Sequence, residues 1–236
     1  MTSEPNLSNV VTSGTALSAA LWDFDGTLAD TEPLWVAAEF ELVEGLGASW
    51  DEAHAEQLVG NSLLDSGAYI LEVIGRQDLT PAWVVEQLLG RVVEQLRSRP
   101  IPWRPGALEL LASFGEAGIP CALVSASYRV LLEAVFEQLP DGAFTVSVAG
   151  DEVSRGKPHP EPYLSACAKL GVHPTNCVVF EDSSTGARAG NAAGALVLAV
   201  ENLVPIPPAP NRLHIPSLAE LDAGRVAALL DGWHGA

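Results

Sequence analysis

Five short, mainly apolar runs recur along the chain, at residues 19–24, 120–125, 144–149, 177–181 and 196–200. Apart from 144–149, where Thr145 and Ser147 intervene, none alternates with polar residues, which is the pattern of parallel strands covered by helices on both faces. Amphipathic stretches lie between them. Residues 105–117 carry Leu108, Leu110, Leu111 and Phe114 at helical spacing, with Gly118 placed to cap the end. Residues 130–139 and 161–170 read the same way, the second stopped by Gly171. Strand and helix in alternation predict an α/β class fold, a doubly wound parallel sheet of Rossmann-like form.

Residues 33–100 break that rhythm: helical patterns run throughout, without a strand-like stretch. Gly45, Gly47, Gly60 and Gly75 punctuate them, and Thr80-Pro81 supplies a helix start with a capping hydroxyl and a first-turn proline. An all-helical cap domain at 33–100, inserted into a core domain formed by 1–32 and 101–236, is the expected organisation. Its hinges fall near residues 30–33 and 98–104, where Pro100, Pro102 and Pro105 crowd the chain. The proline-rich segment 201–216 reads as a surface connection before a last helix at 217–230.

The 236 residues include 12 basic and 30 acidic side chains, a formal net charge of −18. So acidic a surface disfavours nucleic acid and anionic membranes as partners. A phosphate site would need local cations. Cys121, Cys167 and Cys177 form no CxxC pair and sit among apolar neighbours, as buried reduced thiols do. No apolar run spans a bilayer, and residues 1–14 lack the basic start and apolar stretch of a secretion signal. A cytoplasmic monomer is the expectation.

Four short segments end predicted strands, where open α/β sheets bind ligands. In residues 23–30 (DFDGTLAD), Asp23 and Asp25 flank an apolar residue, and Gly26 lets the chain turn away. One acid can attack while the other moves a proton if their surroundings differ. Ser125, followed by Ala126, offers a hydroxyl and a turn whose backbone N–H groups suit a phosphate; a serine here is also a common helix cap. Lys157, in Gly156-Lys157-Pro158, is either a placed cation or a solvated surface charge. The adjacent acids Glu181 and Asp182 call for a hard divalent cation.

In this order the segments resemble the four motifs of the haloacid dehalogenase superfamily of phosphotransferases. GKPHPEPYL (156–164) and VVFEDSSTGARAGNAAGA (178–195) are similar to its beta-phosphoglucomutase and sugar-phosphatase branch. The resemblance covers residues 16 to 200, and the helical insert occupies the family's cap position. It implies Asp23 as a nucleophile that becomes an aspartyl-phosphate, and Asp25 as the acid that protonates the leaving oxygen and then activates water. Ser125, Ala126, Gly26 and Lys157 would surround the phosphoryl group. Mg²⁺ would be held by Asp23, the Asp25 carbonyl and Asp182, with Glu181 a ligand or a partner just outside. The acid at position 25 favours phosphate esters over haloacids, since a dehalogenase needs no proton donor there.

Three readings compete. The first is a phosphatase of a small phosphorylated metabolite. The second is a phosphomutase, whose cap grips a second phosphate with an arginine; the matching stretch Gly60-Asn61-Ser62-Leu63-Leu64-Asp65 has no basic residue, although Arg76, Arg129 or Arg155 could serve. The third is a non-catalytic binding protein, which complete motifs argue against. His54, His159, His173, His214 and His234 show no zinc spacing. Trp35 and Tyr69 are candidates for the substrate pocket.

Overall fold

The computed structural model describes residues 17–235; the reading of residues 1–14 lies outside them. Six strands, β1 (Ala19–Trp22), β2 (Cys121–Val124), β3 (Val146–Val148), β4 (Cys177–Glu181), β5 (Leu196–Ala199) and β6 (Arg212–His214), form one sheet in the order β3-β2-β1-β4-β5-β6. Every neighbouring pair is parallel. Successive β1 side chains serve opposite faces: Ala20 and Trp22 enter one apolar cluster, Ala19 and Leu21 the other. Trp22 stacks on Phe180 of β4 with ring centroids 4.1 Å apart, and Phe114 meets it edge-on. Segment 201–216, expected as a plain connection, contains β6. Only Arg212 of its three residues is buried, so the strand leaves no apolar run to read.

Helices α1 (Glu32–Gly45), α2 (Glu52–Glu56), α3 (Leu63–Ile74) and α4 (Pro81–Ser98) follow β1 without an intervening strand. The Thr80 hydroxyl accepts from Trp83 N at 3.2 Å, with Pro81 in the first turn of α4. Val84, Val85, Leu88, Leu89, Val92, Val93 and Leu96 form its buried stripe, against which α1 and α3 pack. The two chain crossings beside this insert are tied together. Asp30 N donates to Pro102 O at 2.9 Å, and Arg104 N to Leu28 O at 2.8 Å.

The remaining helices are α5 (Ala107–Glu116), α6 (Arg129–Phe136), α7 (Glu161–Leu170), α8 (Ser184–Ala193) and α9 (Ala223–His234). α7 and α8 lie on one face of the sheet, and α5 and α9 on the other. This is the doubly wound arrangement. The strand order reverses beside β1, and the crevice at the strand ends opens there.

Candidate active site

Register brings the motifs together. Trp22 pairs with Phe180 and with Leu123, so one residue further Asp23 leaves β1 beside Glu181 and Val124. The turn that follows is closed by Leu28 N and Ala29 N donating to Phe24 O. Gly26 has φ of +84°, and a Cβ there would stand 2.0 Å from Asp182 Oδ2. Only glycine allows the β1 turn and the β4 end to approach this closely.

Lys157 is not a solvated charge: its side chain is 6 % exposed. Its Nζ donates to Asp23 Oδ1 at 2.6 Å, Glu181 Oε1 at 2.7 Å and Val124 O at 2.9 Å. Glu181 is fully buried. Its Oε1 also accepts from Tyr163 Oη at 2.7 Å, and its Oε2 accepts from Ser183 Oγ at 2.9 Å. Ser183 Oγ in turn accepts from Gly186 N at 3.0 Å, capping α8. A Cβ at Gly186 would fall 1.7 Å from Glu181 Oε1.

The Asp25 carboxylate receives four donors. Oδ1 takes Thr31 Oγ1 at 2.7 Å and Trp35 Nε1 at 3.1 Å; Oδ2 takes Ser127 Oγ at 2.8 Å and Ser125 Oγ at 3.2 Å. Ser125 is therefore no helix cap; Tyr128 holds that position for α6 without a side-chain bond. Ser125 is buried and does not line the cavity in front of the cluster, whereas Ala126 and Ser127 do. Ser127, Thr31 and Tyr163 are participants that the sequence reading did not single out. Only the DxDGT turn and the strand ends carried a local signal; these three are recruited from neighbouring loops and helices.

Asp23, Asp25, Gly26, Lys157 and Asp182 line a cavity of about 570 Å³, together with Trp35, Leu58, Leu63 and Leu88 of the insert region. Trp35 is thus in the pocket. Tyr69 is not among the lining residues and instead bonds His54 Nδ1 at 2.9 Å. Arg76 pairs with Asp78, and Arg129 with Glu152 and Ser147. Arg155 stands 3.8 Å from Glu161. None of the three lines the cavity.

Asp23, Glu181 and Asp182 bring carboxylate oxygens within 4.8 Å of one another. Burial holds the Asp23 carboxyl well above the usual carboxylate range; Lys157 opposes this, while Glu181, Asp182 and Asp25 add to it. Burial also pushes Asp182 up to about 7, reinforced by Glu181 and resisted by Thr27 and Lys157. Burial alone would depress the Lys157 ammonium, but Asp23 and Glu181 outweigh it and hold its pKa up. Four carboxylates thus face one ammonium. An all-oxygen donor set with this charge deficit fits a hard divalent cation.

The family pattern of the haloacid dehalogenase-like hydrolases matches residues 17–194, and the chain belongs to that family. Hexitol phosphatase B of Escherichia coli O157:H7 is 33% identical over 221 residues, 87% of this chain and 94% of that protein. A phosphorylated carbohydrates phosphatase of Thermotoga maritima is 32% identical, over 75% of this chain and 82% of its own. CbbY from Rhodobacter sphaeroides, solved as a point mutant in complex with xylulose-(1,5)bisphosphate, superposes with a TM-score of 0.76 at 30% identity. That match covers 87% of this chain and 96% of CbbY. The protein is an enzyme of this family, a phosphoric monoester hydrolase.

Proposed function

We propose that the protein is a Mg²⁺-dependent phosphatase of small sugar or polyol monophosphates that works through a phosphorylated Asp23. The convergence of Asp23, Asp25, Lys157 and Asp182 on the wall of one cavity carries this reading. Asp23 and Asp182, with the backbone carbonyl of Asp25, would hold Mg²⁺. When bound, the ion offsets the repulsion between carboxylate and phosphate and polarises the phosphoryl oxygens. Glu181, with both oxygens taken by Lys157, Tyr163 and Ser183, anchors the lysine.

An Asp23 carboxylate oxygen attacks phosphorus and the ester P–O bond breaks, with Asp25 giving a proton to the leaving oxygen. Water then attacks the acyl-phosphate, Asp25 takes its proton, and inorganic phosphate leaves. Lys157 offsets charge on the phosphoryl oxygens throughout, while Thr31, Trp35, Ser125 and Ser127 hold the Asp25 carboxylate in one orientation.

The mutase reading is weaker. Among the described residues lining the cavity, Lys157 is the only basic one, and a second phosphate needs a second cation. Screening phosphate release from hexitol, hexose, pentitol and nucleoside monophosphates, with and without Mg²⁺, tests the proposal. Asp23→Asn is expected to lose at least about a thousandfold in turnover, because an amide cannot form the acyl-phosphate. Full activity in that variant, or release from no ester, overturns the reading. A hexose 1-phosphate converted to an isomer instead of yielding phosphate would favour the mutase. In the same reading the helical segment 33–100 serves as the cap over the core, and the enzyme is a cytoplasmic monomer. Among the described residues no helix is long and apolar enough to cross a membrane.

A further inference from the structure

Glu39 takes no part in the steps above, yet it lies on the wall of the same cavity. It belongs to α1, the helix that presents Trp35 to Asp25. Four residues on, it stands one turn further along the same face, about 6 Å deeper into the insert. The residue is 5 % exposed. Among the described residues its carboxylate has one hydrogen-bond donor, the Trp50 indole Nε1, 3.3 Å from Oε2. Leu58, Leu63 and Leu88 share the wall with it. A carboxyl group in so apolar a place, with most of its accepting capacity unused, is costly unless something in the cavity completes it.

We infer that Glu39 is a specificity-determining residue, accepting hydrogen bonds from hydroxyl groups at the end of the substrate remote from the phosphate. The inference rests on the phosphatase reading and narrows its substrate class. A monophosphate seated at Asp23 and Lys157 projects its carbon chain towards α1, where the Glu39 carboxyl meets a hydroxylated end. Ser66, also buried on the cavity wall, adds a hydroxyl to the polar groups available there. A second anionic group finds no partner: Glu32 and Glu39 are both acidic, and no basic side chain lines that end among the described residues. Burial pushes the Glu39 carboxyl up to about 7, partly opposed by Trp50 and aided by Glu32. That is consistent with a group short of solvent and of donors.

The test compares Glu39→Gln with wild type, in Mg²⁺, on a hexitol 6-phosphate, its analogue lacking the terminal hydroxyl groups, a hexose 1,6-bisphosphate and p-nitrophenyl phosphate. Wild type is expected to favour the hexitol ester over the deoxygenated analogue and the bisphosphate by about tenfold or more in kcat/KM. In Glu39→Gln the ratio of hexitol ester to p-nitrophenyl phosphate should fall about tenfold, carried by KM rather than kcat. Glu39→Asp, which withdraws the carboxylate by one methylene, should lie between. Equal loss on all four substrates, or an unchanged ratio in both variants, overturns the inference and leaves the phosphatase reading standing. Failure of the wild type to release phosphate from any ester removes both.

Discussion

At the scale of single residues the site is a balance of buried charge. Lys157 pairs with both Asp23 and Glu181, and it offsets two acids that burial would otherwise leave unstable. Lys157→Met keeps most of the side-chain volume and removes the charge. It should destabilise the protein by about 3–5 kcal/mol, which for a chain of this size lowers the melting temperature by roughly 10 °C. Activity should be lost with it. Thermal unfolding of the metal-free variant at pH 7 checks this, and an unchanged melting temperature would show that the two acids need no counter-charge. Both alternatives for Lys157 were open in the sequence, because a lysine in a loop carries no sign of its own burial.

At the scale of elements, the turn leaving β1 decides whether the acids of β1 and β4 meet. Gly26 adopts a positive φ and leaves no room for a Cβ beside Asp182. Gly26→Ala therefore strains the turn and displaces the Asp182 carboxylate. The expected outcome is a folded protein whose apparent Mg²⁺ affinity falls at least about tenfold, since ligand displacement is costly in a site of fixed geometry. Titrating activity against Mg²⁺ measures it; an unaltered midpoint would separate Asp182 from the metal. The helices were largely legible at this scale. α7 occupies the residues expected, and Thr80-Pro81 starts α4 as its chemistry predicts. β6 was not legible, being an edge strand with two exposed residues whose existence depends on pairing with β5.

At the scale of the molecule, folding assembles acids from β1 and β4 at one end of the sheet, and stability should register that. The folded-state pKa values of Asp23 and Asp182 are both raised, Asp182 to about 7. Their protonated forms are favoured by folding. That contribution is intact below the unfolded carboxylate pKa, near 4, and is lost as pH rises through about 7. Metal-free protein should therefore melt at a lower temperature at pH 8 than at pH 5.5. In the proposed mechanism Mg²⁺ would compete with protons for the same oxygens, so it should raise the melting temperature more at pH 8, by several degrees at saturating concentration. Scanning calorimetry across this range checks the sign. A larger Mg²⁺ effect at pH 5.5 would place the ion elsewhere.

By itself the sequence determined the α/β class, the helical insert after the first strand, and Asp23, Asp25, Lys157, Glu181 and Asp182 as the candidate chemical residues. Those features carry local signals: apolar runs, helix caps, and acids where predicted strands end. Tertiary structure decided which polar groups face the cavity, placing Ser127 on its wall and Ser125 behind it, burying Glu181 under Lys157, and setting Glu39 among leucines. The physical reason is that burial and side-chain direction are set by contacts between segments far apart in the chain, and no short stretch of residues encodes what will be packed against it.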